Sequence, residues 1–112
     1  DKAEIKLPPV SGQDIIRSWF VFVIQVEGIS RQQRDRVIEA LRRQGIGASA
    51  YFPSIHLQSF YSQRFGFKEG DFPICEKISH KALALPFFNN LTEDNVKLVS
   101  EKLNEVLEEI KK

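Results

Sequence analysis

The run at residues 19–26, WFVFVIQV, constrains the fold most. Its β-branched and aromatic side chains favour an extended backbone. Its apolar character is almost unbroken, as expected of a central strand covered on both faces. A chain of 112 residues built around such a strand has room for one compact domain. Nine phenylalanines supply bulk for its core.

Gly28 ends the run. Ser30 followed by Gln33 has the spacing of a capping box, in which each side chain satisfies the other's free backbone N–H. A helix is expected from there to about Gln44, with Val37, Ile38 and Leu41 inward and Gly45 at the left-handed cap. Residues 46–51 read as a second, shorter strand. Its small residues Gly47, Ala48, Ser49 and Ala50 imply close approach by something bulky. Residues 57–64 can form a short helix, and residues 66–71 a loop with two glycines. Pro73 suits a first helical turn, and Ile74, Ile78 and Ala82 follow at i, i+4 spacing. Residues 83–85 form a short strand ending at Pro86. Thr92 is a good N-cap, and Glu93 and Asp94 complement the helix dipole. Val96, Val99, Leu103, Val106 and Ile110 then repeat at spacings of 3 and 4, marking the last helix. The expected fold is α+β: a small antiparallel or mixed sheet of three to four strands, with helices mainly on one face.

Formal net charge is +1, so nothing global points to nucleic acid or an anionic membrane. Cys75, the sole cysteine, excludes an internal disulfide and a multi-cysteine zinc site. That usage fits a reducing, cytoplasmic compartment. No apolar run approaches membrane-spanning length. Residues 1–13 are polar and carry Pro8, Pro9 and Gly12, and the chain has no methionine. They read as a linker leading into a domain, which implies a piece of a longer protein.

Function is sought in residues 45–61, GIGASAYFPSIHLQSFY. They set His56 and Gln58 among Tyr51, Phe52, Phe60 and Tyr61 in a proline-punctuated turn, as at a ligand-facing edge. A single histidine defines no site, and the plain alternative is a partly buried ring bonded to backbone. Cys75 and His80 lie five apart on a predicted helix, hence on different faces, and Cys75 is expected as a small core residue. No ligand-spacing motif joins His56, Asp71, Cys75 and His80 into a metal site. Arg31, Arg34, Arg36, Arg42 and Arg43 crowd the first helix, but Asp35 and Glu39 interrupt them, as on a solvated face. Gly45-Ile46-Gly47 precedes a strand and is no phosphate loop. No nucleophile with a base and no carboxylate pair stands out.

The chain nonetheless resembles the C-terminal domain of the DegT/DnrJ/StrS pyridoxal-phosphate-dependent sugar aminotransferases. The resemblance runs through SWFVFVI (18–24), RDRVIEALRRQGIGASAYFPSIHLQSFY (34–61), FGFKEGDFPICEKIS (65–79), ALALPFFNNLTEDNV (82–96) and the closing helix. Within it YFPSIHLQ, EGDFP and LALPFFNNLT are the specific motifs. Ser54 stands where many relatives have proline.

The resemblance implies residues 1–17 as a linker from an N-terminal cofactor domain and residues 18–112 as the small C-terminal domain. It implies transfer of an amino group, usually from glutamate, to a keto nucleotide-sugar, with a Schiff-base lysine in the large domain. His56 would then lie at the active-site edge, with Tyr51, Phe52, Pro53 and Gln58 as substrate-binding neighbours. No catalytic, cofactor-binding or metal-binding residue is assigned to this chain, and none of Lys2, Lys6, Lys68, Lys77, Lys81 or Lys97 has the Schiff-base context. The isolated chain is accordingly expected to be inactive, and the full protein to be a homodimer in the cytoplasm, without nucleic-acid or membrane partners. The rival expectation is a stand-alone ferredoxin-like α+β module that binds a small ligand or regulates.

Overall fold

The computed structural model describes residues 4–12 and 14–112. Residues 1–3 and 13, part of the expected linker, lie outside the described residues. Among the described residues four strands form one sheet: β1 (Ile5–Lys6), β2 (Phe22–Val26), β3 (Ser49–Ala50) and β4 (Ala82–Leu85). Their spatial order is β1-β2-β4-β3, and every pairing is antiparallel. Four α-helices accompany it: α1 (Arg31–Arg43), α2 (Ser59–Phe65), α3 (Pro73–Lys81) and α4 (Glu93–Lys111). The α+β class expected from the sequence is the class observed.

The central pairing sets Phe22 opposite Leu85 and Ile24 opposite Leu83. Alternation along β2 sends Ile24 and Val26 to one face, where both are buried. α1 and α4 cover that face. Val37, Ile38 and Leu41 from α1 meet Leu103, Val106 and Leu107 from α4 in one cluster with Ile24, Val26 and Leu83. Burying each such side chain stabilises the fold by roughly 1.5–3 kcal/mol.

Both long helices start as their caps dictate. Ser30 Oγ accepts from Gln33 N–H at 3.2 Å while Gln33 Oε1 accepts from Ser30 N–H at 2.8 Å. Thr92 Oγ1 accepts from Asn95 N–H at 3.2 Å. α1 ends where Gly45 turns left-handed at φ +78.

The apolar run is read too generously as a two-sided strand. Trp19 and Phe20 precede β2, and Phe20 is exposed. Trp19 stacks on Phe22 at 6.0 Å and leans on Phe87 at 6.2 Å. On the face away from α1 and α4, Val23 and Gln25 are half-buried.

The N-terminal segment carries β1, which pairs Ile5 with Val26 at the sheet's edge. Glu27 N–H reinforces it by donating to Glu4 O at 2.8 Å. Glu27 also pairs with Lys6 at 3.1 Å and with Lys81 at the end of α3. Those two hydrogen-bonded ammonium groups, Lys81 foremost, hold its carboxyl below the usual carboxylate range.

Candidate functional site

Beyond β3 the chain leaves the sheet through Tyr51, Phe52 and Pro53. Phe52 takes φ +49, a left-handed conformation unusual for a residue with a Cβ, and its ring is exposed. A short 3-10 turn at Ile55–Leu57 follows and leads through Gln58 into α2.

That turn drives His56 inward. Its Nε2 meets Glu76 Oε1 at 2.7 Å, and both side chains are buried. Phe72 packs edge-on to the imidazole at 4.8 Å, with Phe67 further out at 6.3 Å.

Glu76 sits one turn into α3, after Pro73, where the helix dipole favours a carboxylate. Gly70 donates its N–H to both carboxylate oxygens, at 3.1 and 2.9 Å, and Phe72 N–H donates at 3.2 Å. Gly70 reaches this geometry at φ +96, open to glycine without strain. The Gly70 N–H is the main cause that lowers the Glu76 carboxyl below its ordinary range. Burial opposes it, and His56 and the Phe72 N–H add to the lowering.

The plain alternative had His56 bonded to backbone. The structure instead pairs it with a side chain 20 residues away. Its second nitrogen, Nδ1, has no hydrogen-bond partner among the described residues. No side-chain nitrogen or oxygen among those residues is both wholly buried and unpartnered, so Nδ1 keeps contact with solvent.

His56 lines an open hollow of about 580 Å³ together with Tyr51, Phe52, Pro53, Tyr61 and Phe72. Its surface is aromatic and aliphatic with few polar tips. Such a wall packs against a ring or sugar face and orients it through one or two hydrogen bonds.

Gln58 does not join this hollow. It lines a second one of about 400 Å³, with Arg31, Arg34, Leu57 and His80. Phe52, Pro53, Ser54 and Ser79 line both. Ser54 is buried, and its hydroxyl lies 3.0 Å from that of Ser79.

Two expectations fail here, on Cys75 and on Arg34. Cys75 is exposed and lines the aromatic hollow, so it is no core residue. Ile74 and Ile78 are also exposed. The buried side of α3 carries Glu76 and Lys81, because their partners stand across from that face. Arg34 leaves the solvated arginine face: it is 4% exposed and donates through Nη1 to Ser79 O at 3.0 Å and Ala82 O at 2.8 Å.

Sequence reasoning did not single out Glu76. The available signal was a glutamate just inside a proline-started helix, after a glycine-containing loop. Among the described residues, no group of three or more His, Cys, Asp and Glu side chains could hold a metal ion. No helix there is long and apolar enough to cross a membrane.

Fold and site together define a small α+β domain that presents one aromatic wall with a fixed histidine. The sequence profile of the DegT/DnrJ/EryC1/StrS aminotransferase family matches residues 2–104. The chain belongs to that family.

The spore coat polysaccharide biosynthesis protein SpsC of Bacillus subtilis is 29% identical over 106 residues, covering 90% of this chain and 26% of SpsC. Aminotransferase TlmJ of Streptoalloteichus hindustanus superposes with a TM-score of 0.77 at 20% identity, over 96% of this chain and 27% of TlmJ. The PLP-form of a Streptococcus pneumoniae protein assigned as a sugar aminotransferase superposes at 0.76 and 23% identity, over 80% of this chain and 23% of that protein. At these identities the superpositions show a shared fold. The chain spans about a quarter of the length of the curated relatives it matches.

The family implies pyridoxal phosphate, and the two hollows do not fit its own binding site. No lysine among the described residues lines either of them. The buried lysine, Lys81, is committed to Glu27.

Proposed function

We propose that residues 18–112 are the small C-terminal domain of a pyridoxal-phosphate-dependent sugar aminotransferase, joined by residues 1–17 to a large domain that holds the cofactor. The whole enzyme moves an amino group from an amino acid, glutamate by preference, to a keto group on a nucleotide-linked sugar. The cofactor supplies the electron sink for that exchange. This chain supplies one wall of the cleft.

The observation that carries the proposal is the buried His56, clamped by Glu76 at Nε2 and open at Nδ1 beside the aromatic hollow. Clamping fixes the ring plane, so Nδ1 meets a substrate hydroxyl or carbonyl at a set angle. Tyr51, Phe52 and Pro53 shape the wall around it. Gln58 serves the same substrate from the second hollow. Exposed Phe60, Phe65 and Ile74 supply apolar surface for docking on the large domain. The SpsC relationship supports a sugar substrate in polysaccharide biosynthesis. The working form is a cytoplasmic homodimer.

The test uses the full-length protein. His56→Ala should lower the specific activity of the folded enzyme by about 100-fold while leaving its melting temperature within a few degrees. A folded variant with full specific activity would remove His56 from the site. This chain alone, mixed with pyridoxal phosphate, should show the spectrum of the free cofactor and no turnover.

A further inference from the structure

The second hollow, which Gln58 lines, gathers hydrogen-bonding capacity that the fold leaves unspent. Arg34 lines it, 4% exposed, with Nε on Asp35 at 2.7 Å and Nη1 on Ser79 O and Ala82 O. Its remaining nitrogen, Nη2, has no partner among the described residues, and no polar side-chain atom there is both wholly buried and unpartnered. Nη2 therefore keeps a solvent-facing donor on an otherwise sequestered guanidinium.

Arg31 lines the same hollow from one helical turn away and makes no hydrogen bond or ion pair among the described residues. Gln58 and His80 also line it, and neither side chain has a hydrogen-bond partner among the described residues. Two arginines, a glutamine and a histidine line one hollow, and the carboxylate beside Arg34, Asp35, is taken up at its Nε.

We propose that this hollow binds a phosphoryl group, specifically the diphosphate of a nucleotide-linked sugar. The choice of that source rests on the aminotransferase reading above; the phosphoryl chemistry does not. Planar guanidinium forks match phosphate oxygens in geometry and charge. Arg34, immobilised by two carbonyls, meets the anion at little entropic cost, and Arg31 closes over it from the surface. A diphosphate seated here and a sugar ring against His56 would share one border, which Phe52, Pro53 and Ser54 form with Ser79.

Titration of the chain with inorganic pyrophosphate, UDP-glucose, uridine and glutamate, followed by NMR of the arginine Nε–H and His80 ring resonances, tests this. Pyrophosphate and UDP-glucose should each shift the Arg31, Arg34 and His80 signals saturably, and uridine should not. Arg31→Ser, at an exposed first-turn position, should weaken both by about tenfold or more, and His80→Gln should weaken them less. Absence of saturation with either phosphate, shifts unchanged in Arg31→Ser, or equal binding of glutamate would overturn the site. A response to pyrophosphate without one to UDP-glucose would overturn the nucleotide-linked source. The His56→Ala assay reads the aminotransferase assignment independently, so activity lost there with no phosphate bound here rejects this hollow alone.

Discussion

Glu76 holds His56 from 20 residues away, Oε1 to Nε2 at 2.7 Å, with both side chains buried. Because Glu76 also accepts from Gly70 and Phe72, one carboxylate fixes the loop before α3, the start of α3 and the histidine together.

This clamp predicts an acid-sensitive fold. The Glu76 carboxyl is held below its ordinary range in the folded state, first by the Gly70 N–H. A depressed folded-state value adds stability above the unfolded value of about 4.3, and that stability is lost as pH falls through the folded value. Urea midpoints measured from pH 7 down to pH 3 should fall in the acid range, and Glu76→Gln should flatten the fall. A slope unchanged in Glu76→Gln would assign the acid sensitivity to other carboxylates.

Arg34 ties α1 to the end of α3 and the start of β4 across 45 and 48 residues of sequence. Replacing it with methionine strands two carbonyl groups away from their charged donor. Arg34→Met should cost about 2–4 kcal/mol, read as a lower urea midpoint at constant slope. A loss under about 0.5 kcal/mol, the range of ordinary surface changes, would contradict the burial seen here.

Phe52 holds a left-handed backbone at φ +49 with an exposed ring. Glycine removes about 1 kcal/mol of strain there and regains a similar amount of unfolded-state entropy. Phe52→Gly should therefore melt within a few degrees of the parent. In the full-length enzyme it should raise KM for the sugar substrate, because the wall loses its ring. A destabilisation above about 3 kcal/mol would mark Phe52 as a packing residue instead.

A chain beginning at Ser18 would lack β1 and bare the edge of β2 along Gln25 and Val26. Open edges recruit other edges. Sedimentation velocity should show concentration-dependent association of that truncated chain beyond any shown by the parent. Equal behaviour of the two would mean that β1 does not guard the sheet.

Local signals were legible from sequence, and distant ones were not. The Ser30–Gln33 box, the Thr92 cap and the left-handed Gly45 each depend on residues within one turn, and each stands as expected. The inward rows of α1 and α4 follow from their 3 and 4 spacing, and Val37, Leu41, Leu103 and Val106 are buried accordingly.

β1 escaped notice because two residues amid polar and proline-rich neighbours carry no period. The face that α3 buries was not legible locally. Ile74 and Ile78 look like an inner row by hydropathy, but what faces the interior is decided by His56 and Glu27, distant partners of Glu76 and Lys81. Arg34 misled in the same way, since the carbonyls that accept from it come from another helix and a strand.

The turn from Phe52 to Ser54 borders two hollows at once. A partition shared by two rooms cannot be pushed from one without changing the size of the other. Ser54 anchors it to Ser79 by one hydroxyl contact, and the left-handed Phe52 sets its height. A bulkier residue at 52 or 54 would therefore alter what fits in both spaces at once, so selectivity in the two can drift only together.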